Sequence, residues 1–315
     1  MMKFLVTGGA GFIGSNLAFE LRKRYPDSQV VILDDFSSGH FKNIIGFDGE
    51  IITGSIADSE ILKEIEDGSF NVIFHQAANV DTTDMRQKEM MEINCESFKK
   101  ILNIALKNNS SVIYASSAAV YGNGEVPMKV NQKLLPENVY GFSKYAMDMV
   151  TYRFIKEHPE IHVVGLRYFN VYGPRETFKE KMASMVLKLA IQVMKSNKPK
   201  LFKWGEQKRD FVYVMDCVEA NIKGMESGKS GIVNVGTGRA RTFNEVVEII
   251  KKTLGTDVET EYFNNPYKFY QNYTEADLSE TEKILGWIPR TTIEEGIPEY
   301  VNWIKENIDI DEVIF

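Results

Sequence analysis

Residues 7–16 read TGGAGFIGSN, with Gly8, Gly9, Gly11 and Gly14 crowded directly behind the apolar run Phe4–Val6. No other stretch limits the possible folds so tightly. Gly8 and Gly11 suit a tight turn and the close approach of an anion, and Gly14 suits a helix packed hard against its strand. The amides that open such a helix face the anion. The spacing predicts strand, turn and helix around a pyrophosphate.

Apolar, β-branched runs recur at 30–33, 51–53, 72–74, 112–114 and 162–166. Helical stretches are expected between them over 12–24, 58–66, 86–108 and 141–157, the second opened by Asp58. This alternation predicts an α/β fold with a doubly wound parallel sheet of the Rossmann type, buried on both faces. After residue 167 the pattern loosens into Gly/Pro punctuation around a helix near 182–195. A smaller C-terminal lobe is expected there. The expected division is 1–167 for a dinucleotide-binding domain and 168–315 for a substrate lobe, with the chain crossing back to the first domain.

Asp34 ends the second apolar run twenty residues after Gly14, where a carboxylate can accept hydrogen bonds from an adenosine ribose. A dinucleotide is therefore expected. Asp35 follows it, and two carboxylates oppose the extra phosphate of NADP, so NAD is favoured, although Lys42 offsets part of that repulsion.

The formal charge of −7, from 37 basic and 44 acidic side chains, argues against nucleic-acid or membrane-surface partners and for a small-molecule substrate. Cys95 and Cys217 form no paired or clustered pattern, so neither a disulfide framework nor a metal site is expected. With an N-terminal apolar run too short for a signal segment, a cytoplasmic location is expected.

Tyr140 and Lys144 in YGFSKYAMD stand four apart and share one helix face. Ser116 and Ser117 follow the run 112–114 and so fall at the carboxyl end of a parallel strand, where ligands of such sheets bind. A tyrosine has a reference pKa of about 10. An ammonium about 5 Å away, at an effective dielectric near 20, is worth roughly 3 kcal/mol and is expected to lower that pKa by about two units. Tyr140 then serves as base and later as acid toward a substrate hydroxyl whose carbon gives hydride to a nicotinamide. Ser117 hydrogen-bonds the developing carbonyl, and Lys144 also holds the nicotinamide ribose.

TGGAGFIG, Asp34, ASSAAVYG and the Tyr140/Lys144 pair, in this order, make the chain resemble the extended short-chain dehydrogenase/reductase family over nearly its whole length. The resemblance implies a nucleoside-diphosphate sugar substrate held between two lobes. It implies cofactor contacts at Gly8, Gly11, Phe12, Ile13, Gly14, Asp34, Asn94, Tyr140 and Lys144, with Ile56 beside the adenine and Ser55 where many relatives carry an aspartate. Residues 75–83, HQAANVDTT, are expected to floor the nicotinamide site, with Gln76, Ala77 and Ala78 close to it and Thr83 toward the substrate. His75 is read as structural.

RYFNVYGPRE, KMAS, PKLF, KRDFVYV, GTGRA and the YQ motif are similar to ADP-glycero-manno-heptose 6-epimerases. That likeness implies substrate contacts at Asn170, Arg209 and Tyr270, and an acid/base role for Lys179 across the sugar from Tyr140. Glu180 and Lys181 stand where small residues are usual, and Phe269 where a basic one is. Epimerisation at C6 of a nucleotide-linked heptose is expected. Oxidation at C4 of a GDP-linked or other sugar nucleotide, stopping at the ketone or completing a 4-epimerisation, uses the same residues. The resemblance further implies self-association through helices 86–108 and 141–157.

Overall fold

The computed structural model describes residues 1–266 and 271–313. Strand β1 (Lys3–Thr7) runs through the glycine turn into helix α1 (Phe12–Arg24), followed by β2 (Gln29–Asp34), β3 (Glu50–Thr53), α2 (Ser59–Asp67) and β4 (Val72–His75). Helices α3 (Gln87–Met91) and α4 (Ser97–Asn108) precede β5 (Ser111–Ser117), α5 (Val139–Glu157) and β6 (Val163–Tyr168). The second half adds β7 (Asn170–Tyr172), α6 (Met185–Met194), β8 (Lys200–Phe202), β9 (Lys208–Tyr213), α7 (Val214–Glu226) and β10 (Gly231–Val235). It ends with β11 (Ala240–Thr242), α8 (Phe243–Leu254), β12 (Glu261–Phe263), α9 (Ser279–Leu285) and α10 (Ile293–Asn307).

Seven parallel strands pair in the order β10-β6-β5-β4-β1-β2-β3. Alternate side chains of each strand enter opposite cores, because successive residues of a strand face opposite sides. Phe4, Val6, Ile32 and Phe74 pack with Leu17 and Leu21 of α1 and Cys217 of α7. Leu5, Val31, Ile73 and Val112 pack with Phe98 and Leu102 of α4 and Met147 of α5. Both faces are buried along β1, β2, β4, β5 and β6, which is why those strands read as apolar runs, whereas the edge strand β3 is largely exposed.

The smaller lobe has its own core, where Leu187, Phe211, Val247 and Tyr300 meet, beside a three-stranded sheet (β11-β9-β7) and a two-stranded one (β12-β8). The start of α6 is fixed by Ser184, whose hydroxyl accepts the Leu187 amide. Among the described residues no helix is long and apolar enough to cross a membrane.

Two expectations need adjusting. The single helix expected over 86–108 is interrupted by a π-helical turn at Glu92–Glu96, whose wider backbone holds the Asn94 amide group against the loop after β4 and Ser143 of α5. The run GIVNV at 231–235, hidden in the loosely patterned second half, is the seventh strand and pairs with β6.

Leu5 lies mid-strand and fully buried. Leu5→Ala is expected to cost about 2–5 kcal/mol. Urea unfolding should show a lower midpoint at an unchanged slope.

Candidate active site

The strands all point one way, so β1, β2, β4, β5 and β6 deliver their last residues to one edge of the sheet. There the glycine turn forms a cradle. Gly8 has φ +67°, and a Cβ on it would lie 2.7 Å from the Ala77 amide nitrogen. A Cβ on Gly14 would overlap the Gly8 carbonyl oxygen. Helix α1 carries no side-chain cap at Gly11, which leaves its first-turn amides for an external anion. These features fit the pyrophosphate of a dinucleotide.

Asp34 ends β2 beside this turn. Its carboxylate accepts the amides of Ala10 and Phe36, each at 2.9 Å, and the Gly39 backbone closes over it. Burial pushes its pKa up against those two hydrogen bonds. Oxygens held in this way keep lone pairs for ribose hydroxyls. Asp35 is exposed and engages Ser37 through the amide and hydroxyl, which makes it a turn former first. Lys42, weighed as a partner for an extra phosphate, lies 3.7 Å from Glu312 instead. Ile56 is buried, and the Ser55 hydroxyl beside it accepts the Ala57 amide.

From the end of β4, residues 76–78 press against the glycine turn. Gln76 is tied by its side chain to Asn221 (2.9 Å) and Tyr168 (3.1 Å), and the Ala77 amide donates to Thr7 Oγ1. Asn94 is fully enclosed. Its Nδ2 donates to the Asn79 carbonyl and Ser143 Oγ, and its Oδ1 accepts the Asn79 amide, so it braces the loop after β4. His75 sits beneath, Nδ1 3.0 Å from Thr7 Oγ1, and burial holds its pKa at about 3, with Lys144 adding to the depression.

Strand alternation separates the two serines. Ser116 turns into the interior, while Ser117 turns outward, its Oγ accepting the Ala119 amide. Helix α5 then brings Tyr140 to it. Asn138 caps α5 by accepting the Gly141 amide at 2.7 Å, and the helix passes so near the 118–121 turn that a side chain at 141 would meet the Ala119 carbonyl at 2.8 Å. Ser117 stands close enough to the Tyr140 phenol to draw its pKa down in part. Lys144 is 1 % exposed, with Nζ 6.0 Å from the Tyr140 ring centroid and donating to the Ala115 carbonyl at 2.7 Å.

The expected lowering of the Tyr140 pKa is not what this arrangement produces. Burial pushes it up, Ser117 pulls it partly back, and Lys144 is directed at Ala115 rather than at the phenol. Lys144 itself is brought down to about 8 by burial, against the opposing pull of Asp148. Charge–charge attraction alone, even at an effective dielectric of about 20, leaves out the loss of water around both groups, which is the larger effect here.

Lys179 lies in the loop after β7, with Nζ 5.2 Å from the Phe12 ring at the start of α1. It therefore faces the cofactor cradle from the opposite lobe. Its pKa is lowered by burial and raised in part by Glu176. Glu176 is a buried carboxylate that accepts Ser184 N and Oγ and Gly173 N, fixing that loop. From the same loop Lys181 reaches Asp81 at 2.7 Å, and Thr83 donates to Asp81 as well. Asn170 is exposed on β7 and pairs in register with Phe211 of β9; Arg209, two residues earlier on β9, is buried against the Phe243 ring. Tyr270 and Phe269 fall outside the described residues. Among the described residues no His/Cys/Asp/Glu cluster could hold a metal.

Residues 4–236 match the model of the NAD dependent epimerase/dehydratase family. The chain belongs to that family. It is 47 % identical to the ADP-L-glycero-D-manno-heptose-6-epimerase of Helicobacter pylori, over 96 % of each chain, with a TM-score of 0.91. It is 30 % identical to a UDP-N-acetylglucosamine 4-epimerase of Methanobrevibacter ruminantium M1, over 98 % of this chain and 99 % of that one (TM-score 0.90). It is 29 % identical to the UDP-glucose 4-epimerase of Thermotoga maritima, over 98 % and 100 % (TM-score 0.90).

Sequence reasoning passed over Glu176, Asn221, Asp148 and Arg167. Asp148 had a signal, one further helical turn beyond Lys144, and Arg167 had another, a charge inside an apolar strand.

Two outcomes are expected. Asp34→Ala should weaken NAD binding roughly tenfold or more by calorimetry, since its ribose acceptor is lost. His75 stays neutral when folded, whereas an unfolded histidine protonates near pH 6.5. Its stabilisation is therefore complete above about 6.5 and is lost as pH falls toward 3. The Tm of His75→Gln should fall less steeply than that of the parent between pH 6.5 and 4.

Proposed function

We propose that the protein is an epimerase of a nucleoside-diphosphate-linked manno-heptose, inverting C6 through a transient ketone. The observation that carries this reading is the pair of proton-transfer groups on opposite walls: Tyr140 with Ser117 and Lys144 on the sheet side, and Lys179 on the second-lobe side above Phe12. The 47 % identity to the Helicobacter pylori heptose 6-epimerase supports the sugar class.

NAD, when bound, supplies the acceptor for the hydride leaving the sugar carbon and later returns it, so the sum is redox neutral. The glycine turn, the α1 amides and Asp34 bind and orient it. Asp34 and the neighbouring Asp35 favour NAD over NADP. Tyr140 takes the proton of the C6 hydroxyl as the carbonyl forms, and Ser117 donates a hydrogen bond to that oxygen. Lys144 keeps a positive charge below the phenol. Inversion needs a proton delivered after the ketone has presented its other face, and Lys179 is placed for that side. Desolvation brings its ammonium toward the working pH, as a general acid requires. Asn170 contacts the nucleotide sugar and Arg209 pairs with its diphosphate, the guanidinium suiting paired oxyanions. Thr83 and Tyr270 are assigned to the sugar side.

The second reading is oxidation at C4 of a GDP-linked or UDP-linked sugar. It draws on Glu180 and Lys181, which differ from the small residues usual there, and on the two similar 4-epimerases. Incubation with ADP-heptose and with GDP-heptose separates them. Inversion at C6 by NMR without net NADH supports the epimerase; accumulating NADH with a 4-keto product rejects it.

Tyr140→Phe should lower turnover by about 10²–10⁴ while leaving NAD affinity unchanged. Lys179→Met is expected to cut inversion more than exchange of label between substrate and cofactor. Unchanged turnover in Tyr140→Phe would overturn the assignment.

A further inference from the structure

Behind the catalytic face of α5 lies a chain of buried polar groups. Asp148, one helical turn beyond Lys144, is fully buried and ion-paired with Arg167 of β6, Nε to Oδ2 at 2.8 Å. The Tyr114 hydroxyl donates to its other oxygen at 2.8 Å. Arg167 Nη1 donates to the Tyr121 hydroxyl and to the Val130 carbonyl, at 2.8 and 2.9 Å. The Tyr121 hydroxyl donates in turn to Asn234 of β10 at 2.6 Å, and Asn234 holds the Met128 and Asp277 carbonyls. Tyr121 closes the short helical turn that begins at Ser117. One guanidinium thus ties the helix bearing Tyr140 and Lys144 to the turn bearing Ser117.

We propose that Asp148 is a positioning residue of the reaction: through Arg167 it sets the helix of Tyr140 against the turn of Ser117, and its carboxylate keeps Lys144 charged in a dry site. The inference rests on Tyr140 and Lys144 acting as assigned above. Fold stability alone does not account for a buried ion pair, since well-packed apolar side chains often do as well or better. Residues four apart on a helix lie about 5–6 Å apart at Cβ, close enough for a charge to act across low dielectric.

The groups around Lys144 can be named element by element. Those acting on it are Tyr140 and Asp148 of α5, neutral His75 of β4 and the Ala115 carbonyl of β5; Tyr114, Arg167 and Tyr121 stand one step further out, Tyr114 and Arg167 on the Asp148 carboxylate and Tyr121 on Arg167. The nearby carboxylate is the group that holds Lys144 protonated against desolvation. Removing that charge makes the ammonium give up its proton at lower pH. The alkaline limb of turnover, which needs Lys144 charged, then moves down.

Asp148→Asn, with Asp148→Glu as the charge-keeping control, tests this. Lys144 is read directly from the 13Cε resonance of 13C-lysine protein, assigned by its loss in Lys144→Arg, so the reading does not depend on turnover. The expected result is a Lys144 midpoint about one unit lower in Asp148→Asn and a parallel drop of the alkaline limb of kcat, both restored by Glu. A buried Arg167 left alone could unfold the protein. Asp148→Asn/Arg167→Gln, which leaves no unmatched charge, must then show the lower midpoint. A midpoint unmoved in a folded variant overturns the proposal. A shifted midpoint with an unmoved alkaline limb also overturns it, whereas a parent protein that turns over no sugar nucleotide rejects the epimerase reading and leaves the midpoint as the test of the Asp148–Lys144 coupling.

Discussion

Everything in this molecule depends on seven strands lying parallel, because that arrangement gathers the carboxyl ends of β1, β2, β4, β5 and β6 at one edge. An antiparallel pair would send one end away. The glycine turn, Asp34, residues 76–78, Ser117 and the start of the second lobe share an edge for this reason alone. The helices of each crossover then cover the two faces, and α5 is the one whose first turn reaches over that edge to set Tyr140 beside Ser117.

Much of this was legible from residue pattern. Apolar runs buried on both faces announce themselves, so β1, β2, β4 and β6 were readable to within a residue or two, while β5 runs three residues past its apolar run to Ser117. The glycine turn and Tyr140/Lys144 were readable because each imposes a spacing. The seventh strand was not, since GIVNV is short and sits among Gly- and Ser-containing turns, and only pairing with β6 identifies it. The π turn around Asn94 was equally hidden, for its cause is tertiary: Asn79 and Ser143 draw the side chain in.

The ionisable groups were the least legible part. Spacing put Lys144 near Tyr140 correctly, yet the sign of the phenol's shift depended on burial and on where the ammonium points. Glu176 illustrates the same lesson for Lys179, because a carboxylate three residues upstream both fixes the loop and opposes the desolvation of the amine. Contacts that a chain makes with its own distant segments decide protonation, and a list of motifs does not contain them.

The late strand β10 has an implication for how the protein is made and remade. Residues 170–213 leave the large sheet, build part of the smaller lobe, and return through α7 to finish the sheet at Val235. Until that return is synthesised, the nascent chain carries β6 as an uncovered border with unpaired amides and carbonyls, a surface inviting wrong partners. Grafting a different specificity lobe onto this scaffold would consequently call for two splice points, either side of 170–213, together with a third near 236, rather than a single end-to-end junction.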